Sequence, residues 1–232
     1  MRMALMQPYF FPYPGHFELI SQVDLWVVFD TAQYIRRGWM NRNRIMKLGG
    51  GWQYINVPVQ RADRSTLTKE MALVPGQEWK TKLVRQLEAY RELAPNFDNA
   101  AELVKSCLGV DDEARLSPLN VKLLSRVCAA LEIPFEPIFL SETTADPGPC
   151  ASPGERVLQI AAAMGASTYL NPAGGAHLLD KDAFATNGIR LEIQSFDPLI
   201  YETGSLSLIP NLSVIDALMW VPWEKLSNQL VK

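Results

Sequence analysis

Leu25-Trp26-Val27-Val28-Phe29 is an unbroken apolar run closed by Asp30, and it restricts the fold more than any other stretch of the chain. A short run of this composition, with no alternation, is a strand covered on both faces, as in a parallel sheet flanked by helices. Met1 to Met6 supplies a strand before it, broken by Gln7-Pro8, and the residues from Gly15 to Gln22 make a short helix with Phe17 and Ile20 inward. Strand, loop, helix and strand together form a βαβ unit.

The middle of the chain is different. Met40 to Lys47, the turn Leu48-Gly49-Gly50-Gly51, and Trp52 to Val59 predict a β-hairpin, and Thr66 to Val74 predicts a third antiparallel strand. Within the first hairpin strand, Asn41 and Asn43 face one side and Arg42 and Arg44 the other, because side chains alternate. Helical spacing follows in Trp79, Leu83, Leu87 and Tyr90, stopped by Pro95, and then in Ala100 to Leu108. Ser117-Pro118 has the form of an N-cap followed by proline, opening a helix through Leu131.

Phe135 to Leu140 and Thr168 to Leu170 are strands. Asp146 to Cys150 is a loop, and Ser152-Pro153-Gly154-Glu155 is a capping box for a helix ending at Gly165. A helix near Leu178 to Thr186 leads through Asn187-Gly188 to a strand over Arg190 to Phe196. A last helix begins at Ser213, with Asp216 completing a second capping box. The expected fold is α/β with a mostly parallel open sheet, Rossmann-like or nucleotidylyltransferase-like in its layering. The domain expectation is a single α/β domain over 1–232, with 40–132 as an inserted subdomain of hairpin and helices.

Composition narrows the function. At net charge −3, the chain lacks the basic surface from which unspecific nucleic-acid binding draws its affinity, so no nucleic-acid partner is expected. No apolar run reaches spanning length, so membrane insertion is not expected and a cytoplasmic location is. Cys107, Cys128 and Cys150 have no metal or redox spacing, and with only His16 and His177 present no protein metal site is expected. The sequence names no cofactor, although magnesium could arrive on a nucleotide phosphate. Six tryptophans leave room for an aromatic homodimer interface.

Polar chemistry concentrates in the first forty-five residues. Gln7 and Tyr9 lie in the loop after the first strand, at the carboxyl edge where open sheets bind ligands. Gly15 would let backbone approach a ligand there, and His16 at the helix start would be held neutral, as a candidate catalytic group. Against this, a lone histidine is more often a packed residue than a catalyst. Asp30, at the end of the buried strand beside Gln33 and Tyr34, is the preferred base. Trp39, Asn41, Arg42, Asn43 and Arg44 combine a stacking surface, amides and guanidinium forks suited to phosphate or carboxylate. Their bland alternative is a charged edge strand that resists aggregation. Asn171 to His177 has the composition of a phosphate loop, with Asn171 and Gly174 as candidates, but it lacks the P-loop lysine. Cys150 precedes a helix N-terminus with no histidine partner evident.

In order, Gln7-Pro8 with Pro12 and Gly15, Asp24, Asp30, Gln33-Tyr34, Trp39 with Asn41 to Ile45, Trp52, Val57-Pro58-Val59, Tyr169-Leu170 with Gly174, and Pro210 to Asp216 resemble the WbqC-like protein family of bacteria. The sequence departs from the family pattern at His16, where an aromatic residue is usual, and at Trp220-Val221-Pro222-Trp223. The resemblance implies a place in lipopolysaccharide O-antigen or other surface-polysaccharide synthesis, and adds Ser213 to the binding candidates. The expectation is a group-transferase whose small-molecule substrate is a sugar nucleotide or an activated acyl group, acyl or aminoacyl transfer to an amino sugar being one form. Nucleotidyl transfer is the less favoured chemistry, since Tyr13 stands where such enzymes carry the first of two histidines. The rival is a non-catalytic sugar-nucleotide-binding or scaffold protein of the same pathway.

Overall fold

A computed structural model describes residues 1–47, 49–109 and 114–231. The expected βαβ opening is present as β1 (Arg2–Met6), α1 (Pro14–Ser21) and β2 (Leu25–Val28). The middle section holds the hairpin strands β3 (Arg42–Met46) and β4 (Trp52–Asn56), then α2 (Glu78–Leu87), α3 (Phe97–Leu108) and α4 (Leu116–Ala130). The chain returns through β5 (Pro137–Phe139), α5 (Pro153–Ala163), β6 (Thr168–Pro172), α6 (Lys181–Thr186) and β7 (Arg190–Gln194). It closes with α7 (Val214–Trp220) and α8 (Trp223–Leu230).

The five strands outside the hairpin form one parallel sheet in the order β5-β2-β1-β6-β7. Counted by appearance in that sheet the order is 3-2-1-4-5, so the direction of winding reverses between β1 and β6. That reversal is the switch point of a doubly wound sheet, and loops leaving the carboxyl ends of β1 and β6 open a crevice there. Alternation assigns the faces. Ala4, Trp26 and Val28 join a core with α1, the hairpin and α2 to α4, while Met3, Leu5 and Val27 meet Ile160, Ala161 and Phe184 of α5 and α6. The hairpin section is continuous with the larger core through Met40, Ile45 and Ile55, each no more than 1% exposed.

Several local expectations are corrected. Thr66 to Val74 is not a strand: its centre is a short 3-10 turn at Thr68–Glu70, with single bridges at Leu67, Ala72 and Leu73. The amides of Thr68 and Lys69 are taken by Ala32 O and Asp30 O, which ties the start of this segment to the loop after β2, while Ala72 to Val74 pairs antiparallel with Pro58 to Gln60 just beyond the hairpin. Ser117 is not a cap. The helix α4 starts at Leu116, two residues before Pro118, with Arg115 in the capping position, and the Ser117 hydroxyl is enclosed within it. Ser152 does cap α5 by accepting from Glu155 N, but Glu155 returns its bond to Ala151 N. Ser213 caps α7, accepting from Ile215 N, whereas Asp216 turns inward to two tyrosines. The helix expected near Leu178 to Thr186 is α6, which starts at Lys181, and a 3-10 turn over Ala173–Leu178 precedes it. Leu48, expected in the hairpin turn, lies outside the described residues.

Candidate functional site

The loop from Gln7 to Tyr13 leaves β1 at the switch point, and its path is set by polar brackets around its own carbonyls. Asn120 of α4 donates its amide to Pro8 O and Met40 O at 2.8 and 2.7 Å. Asn43 of β3 donates to Phe10 O and Phe11 O at 3.1 and 2.8 Å, and Ser213 Oγ adds a bond to Phe11 O at 2.7 Å. Val214 N takes Pro12 O. Phe11 is held at φ 39°, a left-handed backbone that a bulky residue adopts only where its surroundings force it. Burial without these bonds would leave the loop's carbonyls unpaired, at about 1–3 kcal/mol each.

So constrained, the loop walls a cavity of about 310 Å³ against the hairpin and the loop after β6. Tyr9, Tyr13, Trp39 and Phe196 supply rings, Arg44, Gln194 and Asn211 supply polar groups, and Pro172-Ala173-Gly174 forms the far rim. Tyr13 and Phe196 meet edge to face, 5.6 Å between centroids. Gly15 serves this packing: a Cβ there would stand 2.4 Å from Tyr13 and 2.7 Å from Phe196. The glycine expected to admit a ligand therefore admits two rings instead. Nothing would meet a Cβ at Gly174, so that rim is open. Arg44 Cζ lies 5.4 Å from the Trp39 ring and 5.3 Å from that of Trp52, and its Nε is buried without a partner. Among the described residues it has no carboxylate partner, so its charge is available to a ligand. Burial raises the Tyr9 and Tyr13 pKa values, leaving both hydroxyls as neutral donors.

The remaining candidates fall in two other places. Gln7, Gln33 and Asn171 line a cleft of about 490 Å³ with Cys150, Ser152 and Arg156. Gln7 Nε2 donates to Gln33 O at 3.2 Å. Arg156 is engaged there by Asp146 through two hydrogen bonds; burial pushes the Asp146 carboxyl up, but the bonds from Arg156 and Thr31 prevail and hold it below its usual value. Tyr34, Asn41 and Arg42 line a separate groove of about 690 Å³ beside the hairpin. Tyr34 donates to Asn41 Oδ1 at 2.9 Å and Asn41 donates to Val57 O at 3.1 Å.

Asp30, His16 and Ser213 line none of these three cavities. Asp30 is 2% exposed, and Ser141 donates to both its oxygens, from N at 3.0 Å and from Oγ. His16 packs against Tyr9, Phe17 and Trp26, and burial lowers its pKa to about 3. Sequence reasoning passed over Gln194 and Phe196 in the cavity and Asn120 behind it. Asn120 carried a signal, an amide between Leu119 and Val121 in an apolar helix. Gln194 and Phe196 carried none, because only the sheet order brings the end of β7 to the first loop.

Among the described residues no three His, Cys, Asp or Glu side chains gather as a metal site, and no helix is long and apolar enough to cross a membrane. An uncharacterized protein, Rv1507c, of Mycobacterium tuberculosis is 35% identical over 132 residues, covering 57% of each chain. This chain thus spans a little over half the length of that relative. No solved structure matches the chain. The WbqC-like protein family matches residues 7–228, nearly end to end, and the chain belongs to that family.

Proposed function

We propose that the protein is a cytoplasmic group-transferase of surface-polysaccharide synthesis that holds an activated sugar in the cavity between the first loop and the hairpin. The observation that carries this reading is the lining itself: four aromatic rings, three amide side chains and a guanidinium with no ion-pair partner among the described residues, at the switch point of a doubly wound sheet. Rings of this kind cover the apolar faces of a sugar, amides fix its hydroxyls, and Arg44 meets a phosphate or carboxylate. The volume, about 310 Å³, suits one sugar unit with a small anionic group.

The lining contains no carboxylate or imidazole. Acyl transfer to an amino sugar is the form of the reaction that tolerates this, since a neutral amine is itself the nucleophile. The amine nitrogen bonds to the acyl carbon, the bond to the leaving group breaks, and the amine proton passes to water. Catalysis would come from holding the two reactants together. The same absence favours a second reading, a binding protein that presents the activated sugar to another enzyme.

The test is titration of amino-sugar nucleotides into the wild type and Arg44→Gln, with turnover followed in the presence of acyl donors. Binding weakened in the variant, together with product formation by the wild type, supports the transferase. Binding without product from any donor would leave the carrier reading, and no binding of any activated sugar would defeat both.

A further inference from the structure

Beside the hairpin lies a second feature that the sugar cavity does not use. Arg36, Arg37, Arg42 and Arg61 border the groove of about 690 Å³, and its lining includes no carboxylate. This clustering occurs in a chain with more acidic than basic residues, 25 against 22. Among the described residues none of the four arginines is ion-paired. Four guanidinium groups gathered without a counter-charge repel one another, and an anion is the partner that removes the conflict.

The groove is also built. The Arg42 guanidinium lies 4.5 Å from the centroid of the Tyr54 ring and donates to Arg37 O, while its Nε is buried without a partner. Arg37 adopts φ 60°, a left-handed conformation. Arg36 is fixed by donating to Ala62 O. Two of the four guanidinium groups are therefore held in place before any ligand arrives, which reduces the ordering cost of binding.

We propose that this groove is a second ligand site, taking the diphosphate of a nucleoside diphosphate. Paired forks match adjacent phosphoryl groups, and the exposed Tyr54 ring offers a face to a base. The inference does not depend on the transferase reading, because a carrier protein would use the groove equally well.

The experiment is isothermal titration with inorganic pyrophosphate, uridine diphosphate, uridine monophosphate and uridine, on the wild type and on Arg42→Gln, Arg61→Gln and Arg44→Gln. One-to-one binding of pyrophosphate and the diphosphate is expected, weakened about tenfold or more by Arg42→Gln and by Arg61→Gln but little by Arg44→Gln. Uridine alone should not bind. Arg61 is exposed, so its variant keeps the test alive if Arg42→Gln fails to fold. No heat from either pyrophosphate or the diphosphate would overturn the proposal and leave the arginines as edge protection. Binding lost in Arg44→Gln but kept in Arg42→Gln would also overturn it, by moving the anion to the aromatic cavity. Failure of the sugar site alone would instead appear as intact pyrophosphate binding with amino-sugar nucleotides bound no more tightly than the bare diphosphate and equally well by the wild type and Arg44→Gln.

Discussion

Asn43 donates its side-chain amide to two successive carbonyls, Phe10 O and Phe11 O, and its own Oδ1 accepts from Arg44 N at 2.8 Å. One buried residue thus fixes both the loop that walls the sugar cavity and the backbone that carries the cavity's guanidinium. Its side chain is committed to the protein, so it shapes the cavity without reaching toward a ligand.

Asn43→Ala leaves Phe10 O without that bond, while Phe11 O keeps the one from Ser213. The expected loss is about 1–3 kcal/mol of stability. In a chain of this size that is a fall in Tm of roughly 2–4 °C per kcal/mol. Asn43→Asp should be worse, since a carboxylate would face two carbonyl oxygens. Thermal unfolding of the two variants checks this, and an unchanged Tm in Asn43→Asp would show that the bracket carries no weight.

The same residue marks what could be read from the sequence. The apolar run at Leu25 to Phe29 announced a doubly covered strand, and alternation along the hairpin put Asn43 opposite Arg42 and Arg44, because both are local consequences of strand geometry. What Asn43 does inward depends on carbonyls more than thirty residues away in sequence, and spacing does not encode that. The cluster from Trp39 to Arg44 read as one site, yet Arg44 turns to one cavity and Arg42 to another. Arg44 rests on Trp52 and Arg42 on Tyr54, two rings whose centroids are 5.0 Å apart. Asp30 looked like a base because it ends a strand at the ligand-binding edge; Ser141, which occupies it, comes from a segment 111 residues later.

Gly15→Ala tests the cavity wall directly. The added methyl would have to displace the Tyr13 and Phe196 rings, both attached to the rim. Overpacking of this kind costs about 1–3 kcal/mol. Because the displaced rings are cavity walls, binding of activated sugars should weaken with the stability loss, while pyrophosphate binding at the arginine groove stays intact. Equal losses at both sites would point to general disorder instead.

His16 gives a prediction in pH. Its folded pKa of about 3 lies below the ordinary value of 6.5, so between those limits the unfolded chain binds a proton that the folded one refuses. Stability therefore falls as pH drops below 6.5, with a limiting slope of roughly 1.4 kcal/mol per pH unit. Between pH 7 and pH 5 the loss should approach about 2 kcal/mol from this group. His16→Phe keeps a ring among Tyr9, Phe17 and Trp26 but removes the titration. Urea unfolding at both pH values should show a smaller acid loss in the variant. An identical loss in both proteins would mean that His16 is not the group responsible.

Asp216 joins α7 to the rest of the molecule by accepting from Tyr90 Oη at 2.5 Å and from Tyr201 Oη at 2.6 Å. Tyr90 Oη in turn accepts from Met46 N at 2.7 Å, so one carboxyl links the hairpin, the turn after α2, and the loop around Tyr201. Asp216→Ala strips both hydroxyls of their acceptor and should cost about 2–4 kcal/mol. Asp216→Asn retains one acceptor and a donor, so it should lose much less at neutral pH. Burial raises the Asp216 pKa, against a lesser lowering by the tyrosine bonds. The folded protein therefore keeps a proton above 3.8 that the unfolded chain has released. That contribution is present below 3.8 and disappears as pH rises through the folded value. Wild type should accordingly gain stability relative to Asp216→Asn as the pH is lowered from neutrality, the sign opposite to that of His16. Urea unfolding of the pair across this range measures the difference, and a gap that widens in favour of Asp216→Asn on acidification would rule out a raised pKa.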